Sequence, residues 1–322
     1  MLSLQEVEDA QSVVYAAMPP TAQYAWPLLA RRTGCEVWVK HENHTPIGAF
    51  KVRGGVVYMD RLKRTEGARL KGVVSATRGN HGQSIAVGAA RAGVAATIVV
   101  PLGNSVEKNA AMRAFGAELV EAGHDFDAAR EAARQLAGER GLAMVPSFHR
   151  DLVCGVATYA LELFRGAPPL DTVYVPIGLG SGICGVIAMR DALSPKTRVV
   201  GVVSTEAPAY ALSFAAGKVV PTNSADTMAD GMAVRGPDPE ALAVILEGAE
   251  RIVQVSDAEI AAAMRAYYED THQLAEGAGA AALAALLQER ASMKGKRVAL
   301  VLSGGNIDRP LYLRLLADRD PV

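Results

Sequence analysis

Four short segments of the chain pair reactive residue types with the small residues that let a ligand come close. In the first, 43–55 (NHTPIGAFKVRGG), Lys51 stands between Phe50 and Val52 in a mostly apolar stretch after a Thr45-Pro46 and Gly48 turn. Apolar surroundings disfavour the ammonium, and a neutral amine can attack a carbonyl to form a Schiff base. A lysine that lays its stem over the core with its head in water would leave the same pattern. The second segment, 73–84 (VVSATRGNHGQS), reads as strand, polar turn and helix start. Ser75, Thr77, Gly79, Asn80 and the early helix amides concentrate hydrogen-bond donors suited to a carboxylate. An ordinary turn capped by Asn80 or Thr77 would use the same residues, and His81 alone carries little weight as an acid or base. In the third, 172–185 (TVYVPIGLGSGICG), Gly178, Gly180 and Gly182 allow close backbone approach, and successive N–H groups can line a phosphate. Gly180, Gly182 and Gly185 also fit GxGxxG, and Glu206 lies about 20 residues on, where a ribose-binding acid belongs. That pairing favours a nicotinamide dinucleotide, while close helix–sheet packing explains the glycines without any ligand. The fourth, 298–308 (VALVLSGGNID), is a strand ending on Ser303, whose hydroxyl can serve a buried heteroatom or simply terminate the strand.

These segments need elements to carry them. Short Val-rich runs at 36–40, 72–75, 96–100, 117–121, 172–177, 198–204 and 297–302 read as strands. They lack clean alternation, as strands covered on both faces do. Helical patterns lie between them at 82–92, 106–115, 126–140, 155–164, 184–193, 257–271 and 278–290, and a further helix starts in AFKVRGGVVY. The β-then-α order predicts an α/β protein with mainly parallel, twisted sheets flanked by helices and right-handed crossovers. In open sheets of this kind ligands sit beyond the carboxyl ends of strands. No internal repeat or low-complexity linker interrupts the pattern; the one compositional dip is 219–239, rich in Thr, Asp, Gly and Pro.

Composition removes several classes of function. With 322 residues, 50% hydrophobic and 21% charged, the chain is neither disordered nor a small stapled scaffold. Its 33 basic and 34 acidic residues give a net charge of −1, which argues against a nucleic-acid partner or a polybasic membrane anchor. Cys35, Cys154 and Cys184 are far apart and form no CxxC pair, so neither a zinc knuckle nor a disulfide framework is expected. The acidic N-terminus does not read as a signal peptide, and no apolar run reaches the roughly 20 residues that cross a bilayer. A soluble cytoplasmic protein is expected. His41, Glu42 and His44 lack a third ligand at convincing spacing, so no metal site is expected. There is no G-x-S-x-G elbow and no Walker loop. Glu276, in HQLAEGAGAAALAALL, is a single acid among Ala and Gly, suited to a functional carboxylate or a cap.

Together and in this order, the four segments resemble the serine/threonine dehydratase family of pyridoxal-phosphate enzymes, which have the tryptophan-synthase-type fold (fold type II). The resemblance runs from about 21 to 309 and is more specific than any one motif. It implies that Lys51 of GAFKVRGG holds the cofactor, flanked by Phe50. It places the phosphate at Gly178, Leu179, Gly180, Ser181 and Gly182, the pyridine nitrogen at Ser303 and the ring hydroxyl at Asn80. The loop of Ser75, Thr77, Arg78, Gly79 and His81 would bind the substrate carboxylate. TMADGMAV (227–234) and AEGAGA around Glu276 fall where the family has its substrate-side loop and its short acidic motif. Two domains are implied, a large one of 1–68 plus 148–322 and a small mobile one of 69–147, with the cofactor in the cleft between them and closure excluding water. A homodimer is expected on the same grounds.

Three departures matter. SATRGNHG is two residues longer than the compact S-x-GNH of typical threonine dehydratases. In that it is closer to diaminopropionate ammonia-lyases, which carry an acid where Arg78 stands here. APAYALSF after Glu206 lacks the second acid of the divalent-metal site in serine racemases. The chain ends shortly after SGGNID, so no regulatory domain is expected. The implied reaction is α,β-elimination from a threonine- or serine-like β-hydroxy-α-amino acid, giving a 2-oxo acid and ammonia. Pyridoxal phosphate acts as the electron sink and the freed Lys51 amine as the base. A serine at the ring nitrogen tempers that sink and suits elimination more than transamination. Alternatives are specificity for 3-hydroxyaspartate, where Arg78 would meet the second carboxylate, or for phenylserine, and a racemase side activity. From other classes come a nicotinamide-dependent dehydrogenase and a non-catalytic binding protein.

Overall fold

The Val-rich runs pair into two separate sheets. A computed structural model describes residues 2–317. The strands are β1 (Gln23–Ala25), β2 (Glu36–His41), β3 (Val73–Ala76), β4 (Ala96–Val100), β5 (Glu118–Glu121), β6 (Ala143–Met144), β7 (Thr172–Pro176), β8 (Arg198–Ser204), β9 (Arg251–Val255) and β10 (Arg297–Leu302). The larger sheet has six strands in the order β1-β2-β10-β7-β8-β9, the smaller four in the order β5-β4-β3-β6. Every described pairing is parallel except that of the short edge strand β1 with β2. All residues of β4 and β7 are buried, because helices cover both faces and leave no solvent side to alternate toward.

The helices explain why the reactive segments stay put. Lys51–Glu66 is wedged between Asn80–Arg91 and Arg150–Gly166. Gly55 makes the first contact possible: a Cβ there would stand 2.5 Å from the backbone oxygen of Ser84. Ser84 Oγ also donates to the Lys51 carbonyl at 2.5 Å, tying the first turn of one helix to the other. Behind the larger sheet, Gly277–Met293 is buried continuously from Gly277 to Leu286, as a helix apolar on every side must be.

The seven strands read from the sequence lie within one residue of the observed ones. β1, β6 and β9 were not anticipated. The first two span 3 and 2 residues, too few to establish a pattern, and β9 is a half-covered edge strand. Helices Leu4–Tyr15, Pro27–Thr33, Ala209–Ala216, Pro239–Gly248 and Arg309–Ala317 add to the expected set. The first carried a legible signal, a Ser3/Glu6 capping box. No helix among the described residues is long and apolar enough to cross a membrane.

Candidate active site

Three neighbouring strands of the larger sheet end at one place. β2 leads through the short turn Glu42–His44 to Lys51, β10 ends just before Ser303, and β7 runs into the loop 177–180 before the helix Ser181–Leu193. Backbone bonds strap these ends together. Phe50 N–H donates to the Ser303 carbonyl at 3.0 Å, Gly305 N–H to that of Gly48 at 2.9 Å, and Glu276 N–H to that of Gly304 at 3.1 Å. Thr45 Oγ1 closes the turn before Lys51, accepting from Ala49 N–H at 2.9 Å and donating to the Ala49 carbonyl at 2.8 Å. Asn80 arrives from the other sheet, at the start of the helix after β3.

One cavity is lined by Phe50, Lys51, Asn80, the loop residues Gly178, Leu179, Gly180, Ser181 and Gly182, and Glu276 and Ser303. Four further residues line it, Pro176, Gly231, Met232 and Ala278; Gly231 and Met232 lie in the 227–234 loop and Ala278 in the AEGAGA motif, segments already singled out though not these residues by number. Burial drives the Lys51 amine below the ordinary lysine range, and nearby Glu276 offsets this in part. Its Nζ lies 5.4 Å from the centre of the Phe50 ring, and that ring packs edge-on against Tyr159 with centroids 6.0 Å apart. Glu276 itself is pushed above the usual carboxylate range by burial, against the pull of Lys108 and an amide bond from Asn80. Asn80 Nδ2 donates to Glu276 Oε1 at 2.8 Å, while its Oδ1 accepts from Asn306 Nδ2 at 2.8 Å. Asn306 was also missed, although it sits in the SGGN run, because an asparagine after two glycines reads as a turn residue.

The glycine loop is built as a cradle. Gly180 is left-handed (φ 102°) and caps its helix with no side chain, so the first helix amides have no capping oxygen. A Cβ on Gly178 would stand 2.3 Å from the Gly231 carbonyl oxygen. Two tyrosines brace the loop from outside: Tyr210 hydroxyl donates to the Leu179 carbonyl at 2.8 Å and Tyr159 hydroxyl to that of Gly182 at 3.1 Å.

The residues expected at a substrate carboxylate divide. Ser75 is fully buried and donates to the Val145 carbonyl at 3.2 Å, tying the end of β3 to the chain beyond β6 rather than facing the cavity. Thr77 Oγ1 accepts from the amides of Gly79 and Gly82 at 3.0 and 3.2 Å, capping the helix Asn80–Arg91. His81 is buried with Nε2 unpartnered, and burial lowers its pKa to about 3, helped by Lys51. Its ring is therefore neutral near pH 7 and not a cation. Arg78 is half-exposed, with Nη1 4.0 Å from Asp230 Oδ1. Gly79 packs under the stem of Lys108, whose Cδ a Cβ at position 79 would meet at 2.7 Å. Lys108 and Asp230 line a second cavity of about 320 Å³ that adjoins the first through Glu276 and Ala278.

A model of the family described as pyridoxal-phosphate dependent enzymes matches residues 16–304. The chain belongs to this family. Among its relatives is the L-threonine ammonia-lyase of Thermotoga maritima, 34% identical over 317 residues that cover 98% of this chain and 78% of that protein. Another is the L-threo-3-hydroxyaspartate ammonia-lyase of Saccharomyces cerevisiae, 31% identical over 98% of this chain and 96% of that one. The processed form of threonine deaminase isoform 2 from Solanum lycopersicum shares the fold with a TM-score of 0.89 and 29% identity, over 98% of this chain and 94% of that one.

Pyridoxal phosphate is the cofactor of this family, and the chemistry of the residues around the cavity suits it. A phosphate needs N–H donors without a side chain in the way, which the uncapped Gly180 helix start and the Gly178 cradle supply. The carbonyl carbon needs an amine whose charge is disfavoured, and burial disfavours that of Lys51. The dinucleotide reading is set aside. Glu206 is exposed beyond β8, and Gly185 serves helix packing, its Cβ position lying 3.0 Å from Ala157 Cα. The His41–His44 stretch is likewise spoken for: Glu42 accepts from Arg53 Nε at 2.7 Å and His41 Nε2 from the Trp26 indole at 3.0 Å.

Proposed function

We propose that this protein catalyses α,β-elimination from a β-hydroxy-α-amino acid, releasing a 2-oxo acid and ammonia. The observation that carries the reading is the meeting of the Lys51 amine, an uncapped glycine cradle and the Ser303 hydroxyl around one cavity. When bound, pyridoxal phosphate withdraws electrons from the amino acid and makes its Cα–H acidic. The loop 178–182 would hold the phosphate, Asn80 the ring hydroxyl and Ser303 Oγ the ring nitrogen. A hydroxyl at that nitrogen, in place of a carboxylate, would favour an unprotonated ring, which supports elimination over transamination. Lys51 Nζ, held toward neutrality by burial, is placed to take the Cα proton. The amides of Asn80 and His81, at a helix start where Thr77 takes only the Gly79 and Gly82 amides, would receive the substrate carboxylate.

The self-contained four-stranded sheet between residues 73 and 144 supports a small domain of 69–147 against a large one of 1–68 plus 148–322. Three buried cysteines with no disulfide support a reducing, cytoplasmic setting. A homodimer is the assembly we propose, and light scattering of the purified protein tests it. The function is tested by incubating the protein with threonine, serine, phenylserine and 3-hydroxyaspartate and measuring 2-oxo acid and ammonia. Equal release of both is expected, with loss of release in Lys51→Ala. Borohydride treatment followed by peptide mapping should find the cofactor mass on Lys51. Mass on another lysine, or no release from any substrate, would overturn the reading.

A further inference from the structure

The second cavity carries charges that the elimination chemistry does not use. Lys108 lies on its wall with only 10% of its side chain exposed, and its Nζ donates to Asp230 Oδ2 at 3.0 Å. Asp230 is 44% exposed, and its other oxygen faces Arg78 Nη1 at 4.0 Å. The pair therefore has a fixed member and a loose one. Lysine 108 is hemmed in over Gly79, whereas Asp230 starts a short turn in the irregular segment 219–239. If the Asp230 carboxylate leaves Lys108, it has Arg78 to turn to.

The remaining charges around this cavity decide what could take the place of Asp230. Arg314 lies on the wall, and Asp308 is held by Ser105 Oγ at 2.5 Å. Lys108 and Arg314 share the cavity wall with three carboxylates, Asp230, Asp308 and Glu276, and Arg78 approaches Asp230 from beside it. Glu276, shared with the cofactor cavity, is pushed by burial toward its neutral form. A buried ammonium must keep an anionic partner, so a ligand can recruit Lys108 only by offering a carboxylate in exchange. The stem of Lys108 lies on Gly79, beside the amides assigned above to the substrate carboxylate. An anion reaching it would be a second carboxylate on the same small molecule.

We propose that Lys108 is the specificity-determining residue of this site, exchanging Asp230 for a carboxylate on Cβ of the substrate. The preferred substrate class is then a β-hydroxy amino dicarboxylic acid such as 3-hydroxyaspartate, ahead of threonine. This rests on the elimination reading, and Arg78 acts as the acceptor for displaced Asp230 rather than as the selector.

The test measures kcat/KM for 3-hydroxyaspartate and for threonine in wild type, Lys108→Met, Lys108→Arg and Asp230→Asn. The ratio of the two should fall roughly 10- to 150-fold in Lys108→Met, the value of a desolvated charge-assisted contact. Lys108→Arg should restore most of that ratio, and Asp230→Asn, which removes the competing carboxylate, should raise it. A second readout needs no turnover: succinate should raise the melting temperature of wild type more than butyrate does, and Lys108→Met should erase the difference. If both substrates fall in proportion in Lys108→Met, or the ratio falls in Asp230→Asn, Lys108 is only a strut across the cleft and the proposal is wrong. Loss of all 2-oxo acid release in wild type, with the succinate effect intact, would instead overturn the elimination reading and leave Lys108 as an anion contact.

Discussion

Replacing Arg53 with methionine should cost far more than a lost surface charge. Arg53 is fully buried two residues after Lys51, and its guanidinium meets both carboxylates of a closed network. Nε and Nη2 donate to Glu42 at 2.7 and 3.0 Å, Nη1 and Nη2 to Glu162 at 2.7 and 2.9 Å, and further bonds reach Thr158 and Thr21. Lys40 completes the network, donating to Glu162 at 2.6 Å. Burial works against the Arg53 charge, but Glu42 and Glu162 outweigh it and hold the guanidinium above its ordinary pKa. Two cations thus balance two acids out of water. Arg53→Met leaves one cation for two buried carboxylates, a break that costs about 3–5 kcal/mol. Adding Glu42→Gln restores the charge balance, so the double variant should be less destabilised than the sum of its singles by about 1–3 kcal/mol. Urea denaturation of the four proteins reads both quantities. Because Arg53 anchors the first turn of the Lys51 helix, kcat should also fall at saturating cofactor, with Arg53→Lys intermediate. A loss below about 1 kcal/mol for Arg53→Met, or strict additivity with Glu42→Gln, would refute the charge-balance argument.

Gly178→Ala would set its Cβ against the Gly231 carbonyl oxygen at 2.3 Å, where neither backbone can yield cheaply. An overpacking cost of about 1–3 kcal/mol should appear as weaker cofactor retention in a titration followed by absorbance; wild-type affinity would mean the loop is not the cradle. Ser303→Ala should keep the cofactor but slow turnover, and Ser303→Asp should shift the absorbance spectrum and raise side reactions; if neither changes spectrum or rate, Ser303 only ends a strand. Burial holds His41 at about 4 and His81 at about 3, below their ordinary 6.5. Between those values and 6.5 the unfolded chain binds the extra protons, so stability should be full above pH 6.5 and fall on acidification, by about 1.4 kcal/mol per pH unit for each histidine. Urea midpoints measured from pH 7.5 to 4.5 check this, and His41→Gln should flatten the slope unless another group sets it.

What the sequence disclosed was chemistry announced by its immediate neighbours. The loop 178–182 and Ser303 stand at strand ends and Lys51 opens the helix reached from β2, all beside glycines, and their adjacency in space follows from β2, β10 and β7 being neighbours in one sheet. Residues whose meaning depends on distant partners stayed hidden. Lys108 in VEKNAAMRA reads as a solvated helix face, because nothing nearby shows that Gly79 will lie beneath it or Asp230 beyond it. Arg53 reads as one more basic residue until Glu162, 109 positions away, closes on it. Ser75 shows the opposite failure. Its donor was legible, but the fold uses it on the Val145 carbonyl.

The two sheets meet in two unlike ways, and the difference bears on where a ligand can act. On one side the helices Lys51–Glu66 and Asn80–Arg91 touch backbone to backbone at Gly55 and Gly88, a contact that admits no sliding without a clash. Across the cavity rim the joints are polar side-chain bonds: Asn80 to Glu276, Asn306 to Asn80, Ser105 to Asp308 and Lys108 to Asp230. Bonds of this kind are worth about 0.5–1.5 kcal/mol net between neutral groups and about 1.5–3 kcal/mol where one partner is charged, because water can take either partner. A substrate can take either partner too. The rim is therefore the side on which a bound amino acid can replace protein contacts one for one, and the glycine-tight helices are the side that keeps Lys51 in place while it does so.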